Sequence, residues 1–272
     1  MTKRKPQSKP SDLPKVKIGI VGGTGFKHLL DDTEKLRLQT PYGEASPLHI
    51  GKMSGKTVVF LQRHGSDHSI PPHRISYRAN IYALHEAGVE RILATNAVGA
   101  IDPSFRPGDI VAPHDFVDFT KHRATTFYDR APVTHVDFSQ PYCVEIREQL
   151  VEAAKKLGLQ VWNEAVLVCT EGPRYETPAE IEMFRRLGCD IVGMTGVPEA
   201  VLARELEMCY APVCFVSNMA AGMQKQLTIH EVSKMSRNAL PKMKQILTET
   251  IKTLRSERNC QCANALEYSR LE

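Results

Sequence analysis

The chain has 272 residues, 42% of them hydrophobic, a formal net charge of +4 and seven cysteines. A chain of this length buries a full core as one large domain or two small ones, and no linker-like stretch forces a split. The basic excess is too small and, outside the N-terminal "MTKRKPQSKPSDLPKVK", too dispersed to argue for a nucleic-acid partner, while no apolar window reaches the length of a membrane span.

Residues 1–15 are rich in Pro and Lys with no apolar run behind them, which reads as a disordered lead-in and not a signal peptide. A single domain over 16–258 and a tail over 259–272 are expected to follow, in a soluble, cytoplasmic protein. The domain begins with "KIGIVGGTGFKHLL", an apolar run entering a cluster of small residues. Open backbone N–H groups in such a turn often cradle a phosphate. A dinucleotide fingerprint needs a third glycine where His28 stands, so a nicotinamide cofactor is disfavoured. A smaller anion, or a strand-to-helix turn with no ligand, both remain open at this point.

Strand-like runs recur at "VKIGIV", "KTVVFLQ", "RILATNAVG", "DIVAP", "AVLVCT", "CDIVGM" and "APVCFVSN". Between several of them lie amphipathic segments, "SYRANIYALHEAG", "EIREQLVEAAKKLG", "PAEIEMFRRLG" and "PEAVLARELE". Near-continuous apolar strands alternating with such helices indicate an α/β protein with a largely parallel, buried sheet. A last long helix runs from Thr228 towards Glu257, with Pro241 expected to kink or break it. Residues 112–143 read as a long aromatic and polar excursion, of the length that usually serves a site or a subunit contact.

Ligands of α/β sheets gather at the carboxyl ends of the strands. The polar residues there are Thr24, Arg63, His64, Asn96, the "TEGPRYETPAE" segment, Met194, Thr195, Ser217 and Asn218. Each has a bland reading alone: a helix cap for Thr195 or Asn218, a surface ion pair for Arg63, a satisfied histidine for His64. Together they suit an anion joined to a flat ring. A guanidinium beside an imidazole and a Gly-Thr-Gly loop fits an oxyanion, and Tyr175 followed by Glu176 fits a heteroaromatic ring, one stacking and the other accepting ring N–H.

"VGGTG", "RHG" leading to "YRANIYAL", "TNAVGAI", "PGDIV", "EGPRYETPAE" and "MTGVPEAVLARE" occur in that order over most of residues 17–225. In these the chain resembles the trimeric purine nucleoside phosphorylase and methylthioadenosine phosphorylase family. The resemblance implies a three-layer α/β/α sandwich around a mixed, partly barrel-like sheet. It implies phosphate-dependent glycosyl transfer without metal or organic cofactor, in a homotrimer or a dimer of trimers. Carried over by position, Thr24, Arg63, His64, Asn96, Ala97 and Thr195 form the phosphate site. Met194 lies under the ribose, Tyr175 stacks on the purine, Glu176 and Asn218 face its edge, and His135 is lent to a neighbouring subunit's sugar. Arg63, Glu176 and Asn218 are the expected catalytic groups.

Relatives that cleave methylthioadenosine carry two aspartates where Asn218 and Ala220 stand. An amide both donates and accepts, and the Glu176 carboxylate accepts from N1–H, so inosine, guanosine or their 5′-methylthio analogues are the expected substrates. The alternatives are a methylthioadenosine phosphorylase, a nucleotide-sugar or NAD enzyme built on the "GGTGF" turn, and a non-catalytic nucleoside-binding module. In a purely structural reading, Asn218 caps the segment after it and Glu176 pairs with Arg174.

Cys260 and Cys262 sit in the polar tail, which offers no further zinc ligand, so a redox, stapling or incidental role is open. "CQCANAL" resembles the C-terminal Cys-x-Cys of heat-adapted members of the family. Through those relatives the resemblance implies a Cys143–Cys209 disulfide, against a cytoplasmic default of reduced thiols.

Overall fold

The computed structural model describes residues 15–23, 29–65, 69–226 and 228–270. The strands are β1 (Ile18–Gly22), β2 (Asp31–Leu36), β3 (Gln39–Thr40), β4 (Gly43–Glu44), β5 (Leu48–Met53), β6 (Lys56–Gln62), β7 (Arg91–Ala100), β8 (Ile110–Val111), β9 (Asp115–Phe119), β10 (Val166–Thr170), β11 (Ile191–Gly193) and β12 (Cys209–Met219). The helices are α1 (Tyr77–Glu86), α2 (Val144–Lys156), α3 (Pro178–Arg186), α4 (Gly196–Glu205) and α5 (Ile229–Thr253).

One ten-stranded mixed sheet organises the molecule, in the order β2-β5-β6-β1-β7-β11-β10-β9, with β12 and β8 branching off β7. The apolar run of β1 is buried throughout because it lies between parallel β6 and β7, with helices over both faces. On one face α1 and α4 share a core with Leu61, Ile92 and Ala94; on the other, α2 and α5 close over Ile20, Leu93 and Val213. The three layers and the mixed sheet are those expected.

The branch at β7 positions the site. Its first half pairs with β1 as far as Ala94, while its end turns to pair antiparallel with β11 at Gly99 and Ala100, and β12 follows it along the other edge. Residues 95–98 therefore pass through a gap between β1 and β11. This is a switch point of the kind where α/β sheets bind ligands, and it gives the sheet its partly barrel-like closure.

Three expectations change. β2 and β5 are absent from the predicted strands, because "DDTEKL" and "LHIGKM" lack a clean apolar run. β5 and β6 form a hairpin over Ser54 and Gly55, both in the left-handed region as a tight two-residue turn demands. The excursion over 112–143 contains strand β9, parallel to β10. Pro241 does not end α5, which is continuous across it. That proline faces solvent, where water can satisfy the Arg237 carbonyl deprived of a donor.

The tail is packed, not free. A 3-10 turn over Gln261–Asn264 buries Cys262 in the α2/α5 core. No described helix is long and apolar enough to cross a membrane.

Candidate active site

Arg63 follows β6 and is 1% exposed. Its Nε and Nη2 donate to the two carboxylate oxygens of Glu199 at 2.6 and 2.7 Å, and Nη1 donates to the Thr95 carbonyl at 2.6 Å. Glu199 stands in the first turn of α4 and also accepts from the Tyr210 hydroxyl at 2.7 Å. Burial works to strip the guanidinium of its proton, but the Glu199 charge and hydrogen bonds prevail and hold its pKa above the ordinary arginine value. Burial, with Glu199 adding to it, pushes the Tyr210 phenol far up, so it stays a donor. The surface ion pair entertained for Arg63 is thus a buried bidentate pair. One N–H on each terminal nitrogen is left, and Nη1 lies beside Gly23, 3.9 Å from where a Cβ there would sit.

His64 is buried next to it, its Nδ1 2.8 Å from the Ile70 carbonyl. From the β7 gap, the Asn96 Oδ1 accepts from the Thr195 hydroxyl at 3.2 Å, and Ala97 is exposed between buried neighbours. Thr195 occupies the N-cap position of α4 but its oxygen accepts no capping bond; its hydroxyl proton goes to Asn96. The helix-cap reading of Thr195 therefore fails. Among the described residues, Gln62 Nε2 and Thr95 Oγ1 are buried at this end without a partner. Thr24 lies outside the described residues.

The end expected to bind the ring is built from the loop after β10. The Thr170 hydroxyl donates to Glu176 Oε1 at 2.6 Å. Arg174 turns away and forks onto Glu180 at 2.7 and 2.8 Å, so the expected alternative in which it pairs with Glu176 is not realised. Glu180 is held in turn by a capping box with Thr177 at the start of α3. Tyr175 is 39% exposed, and burial of the remainder together with Glu176 raises its phenol pKa. Gly172 is left-handed, with φ at +61°, and a Cβ there would come within 2.6 Å of the Met194 Sδ. This glycine lets the loop pass over Met194.

Asn218 sits at a bulge where the β12–β7 register shifts between Val216 and Asn218. Its Oδ1 accepts from the Ser217 hydroxyl at 2.5 Å and its amide donates to the Met219 carbonyl at 2.9 Å. These bonds hold the side chain locally but neither is the cap of the following segment that the structural reading expects. One amide N–H and one lone pair remain. Ala220 is buried beside it, its N–H donating to the Ala100 carbonyl. His135 is exposed on the excursion, its backbone N–H donating to the Ser269 carbonyl at 2.7 Å.

Sequence reasoning passed over Glu199, Tyr210 and Arg123, and gave Thr170 no role beyond its place in the "TEGPRYETPAE" segment. Arg123 donates to the Met194 carbonyl at 2.5 Å, to the Glu171 carbonyl at 2.6 Å and to the Tyr77 hydroxyl at 3.0 Å, tying the excursion to both loops of the site. A lone acid amid the apolar first turn of α4 was the available sign for Glu199. Nothing in the pattern around Arg123 singles it out.

A profile of the Phosphorylase superfamily matches residues 17–252, which takes in every described residue of this cleft except the tail contacts. The chain belongs to the phosphorylase superfamily. It is 51% identical over 252 residues to the probable S-methyl-5′-thioinosine phosphorylase of Methanopyrus kandleri, covering 92% of this chain and 97% of that one. It is 48% identical over 260 residues to the 6-oxopurine nucleoside phosphorylase of Pyrococcus furiosus, covering 92% and 98%. Among solved structures it is similar to a methylthioadenosine phosphorylase from an antarctic soil metagenomic library, with a TM-score of 0.88, 32% identity and coverage of 94% and 92%.

Proposed function

We propose that this member of the superfamily cleaves 6-oxopurine nucleosides with inorganic phosphate, releasing the free base and ribose 1-phosphate or its 5-methylthio analogue. The observation that carries the choice of base is Glu176, a buried carboxylate braced by Thr170 and left unpaired by Arg174. A carboxylate there accepts the N1–H of hypoxanthine or guanine. Adenine would oppose it with a bare N1 acceptor, a mismatch of about 1–3 kcal/mol per unsatisfied group. The names of the two curated relatives point the same way.

The chemistry requires charge to be answered at both ends of the breaking C1′–N9 bond. Phosphate held by the free N–H edge of Arg63, with His64, Asn96, Ala97, Thr195 and the Thr24 loop around it, attacks C1′ and offsets the positive charge growing on the sugar. At the other end the spare N–H of Asn218 serves O6 and its spare lone pair accepts from a protonated N7. Met194 underlies the ribose and Tyr175 stacks on the base. No covalent enzyme intermediate is invoked, and burial pushes the thiols of Cys169 and Cys214 up to about 12, which keeps them inert. Inorganic phosphate enters as co-substrate, without a cofactor. The assembly in this reading is a trimer or a dimer of trimers, with His135 of one subunit at the sugar of the next.

The deciding assay follows hypoxanthine released from inosine and 5′-methylthioinosine as phosphate is varied, with methylthioadenosine in parallel. Phosphate-dependent release with a preference of at least tenfold for the 6-oxopurines, about 1.4 kcal/mol, is expected. Preference for methylthioadenosine would overturn the base assignment. Light scattering that finds a fully active monomer would remove the shared His135.

A further inference from the structure

The tail sulfurs that lacked companions in the sequence acquire them in the fold. Cys143, Cys209, Cys260 and Cys262 converge so that their four Sγ atoms all lie within 4.8 Å of one another, with Cys209 and Cys260 at 3.3 Å. All four are free cysteines. We propose that this cluster is a tetrathiolate site for one zinc ion, which pins the C-terminal tail to the body of the domain.

Zinc–sulfur bonds of about 2.3 Å in a tetrahedron place the sulfurs about 3.8 Å apart, a spacing the cluster reaches by small adjustments. Two ligands stand on rigid elements: Cys143 is the N-cap of α2 and Cys209 opens β12. The other two flank Gln261 at the 3-10 turn. A cavity of about 460 Å³ lined by Cys143, Cys260 and Cys262 gives an ion a way in. Its wall carries Arg204 and Arg255 as positive charge, and of its acids Glu145 is engaged by the Asn259 N–H and lies 3.7 Å from Arg91.

The clamp has something to hold. Beyond it the Ser269 carbonyl takes the His135 N–H, and Arg270 Nε donates to the Thr134 hydroxyl at 3.1 Å. The tail thereby fixes the excursion that carries His135.

The test is metal analysis of the full chain purified under reducing conditions, with thiol state read by mass on denatured, unreduced protein. About one zinc per chain is expected, released when the thiols are modified with a mercurial and lost in Cys143→Ser and in Cys262→Ser. Cobalt replacement should give the visible bands of tetrahedral thiolate coordination. Should those variants fold poorly, the wild type decides alone through zinc content, mercurial release and the cobalt spectrum. A mass short by four hydrogens, meaning two disulfides in place of thiols, overturns the proposal. So do seven free thiols with no zinc taken up from added zinc salt, or zinc retained after both substitutions. None of these readouts depends on phosphorolysis, so the proposal stands or falls apart from the functional reading.

Discussion

At the anion end of the site, a fully buried guanidinium is locked between Glu199 of helix α4 and the Thr95 carbonyl of β7, and the Arg63–Glu199 and Asn96–Thr195 bonds span 136 and 99 positions. At the ring end, the side chains beside Tyr175 and Glu176 are held largely by near neighbours, Thr170, Arg174, Thr177 and Glu180, with Arg123 anchoring the start of the loop from the excursion. The first is set by global topology and cannot shift without disturbing the core. The second is a local module that can vary while the sheet stays put. In the proposed reading, this makes phosphate recognition the inflexible part of the design and base recognition the adjustable one.

The largest effect should come from breaking the anion end. Arg63→Ala leaves the Glu199 carboxylate buried and unpaired, a destabilisation of about 3–5 kcal/mol that would confound kinetics. The triple change Arg63→Met, Glu199→Leu, Tyr210→Phe removes every buried polar group of the pair and should keep the melting temperature within a few degrees. Its phosphate KM should nevertheless rise steeply, with kcat/KM falling by a few kcal/mol of transition-state stabilisation. A triple variant that kept the wild-type phosphate dependence would show the pair to be purely structural.

Next in size is the seam between the two ends. Gly172→Ala forces a side chain into a left-handed backbone and against the Met194 Sδ. A cost of about 1–3 kcal/mol in stability is expected by thermal denaturation. The nucleoside KM should rise while the phosphate KM holds, since Met194 lies under the ribose in the proposed reading. Equal rises in both constants would argue against that placement.

What the sequence disclosed follows the same division. Short contiguous runs carried the ring end, because its contacts are local: the Thr177–Glu180 capping box is written within "TPAE". The Arg63–Glu199 pair spans 136 positions, and only the fold brings its partners together. The same holds for Cys143 and Cys209, which no spacing rule connects to the tail, and for Arg123 on its excursion. Strand β2 escaped notice because it is an edge strand whose Thr33, Glu34 and Lys35 are exposed and mimic a loop, and β5 because His49, Gly51 and Lys52 interrupt an otherwise apolar run. The helical pattern around Pro241 was legible, but the solvent-facing position that makes the proline tolerable was not.

At the ring end, Asn218→Asp should produce a moderate change. The spare amide N–H proposed to serve O6 becomes an acceptor, suited to the N6 amino group of adenine. The tenfold or greater preference for inosine over methylthioadenosine in kcat/KM should shrink, while the phosphate KM stays put. An unchanged ratio would mean that Asn218, already bonded to Ser217 and Met219, serves the bulge and not the base.

The smallest effect tests the module that carries the ring end without touching its chemistry. Hydrogen bonds from Arg174, then the Thr177 N–H and the Arg174 charge, pull the Glu180 pKa from 4.5 down to about 2. A carboxyl whose folded pKa lies below its unfolded value stabilises the fold above the unfolded value. That contribution drains away as pH falls from about 4.5 towards 2. Because both side chains are largely solvated, the contribution is small and sensitive to salt. Glu180→Gln should therefore lower the melting temperature slightly at neutral pH and make its decline between pH 4.5 and 2 shallower than in the wild type. Parallel declines would place the acid sensitivity of the protein elsewhere. Since Glu180 holds Arg174 and caps α3 beneath Tyr175, the same variant should raise the KM for the nucleoside modestly and leave that for phosphate alone, which separates a local module from a sheet-borne site.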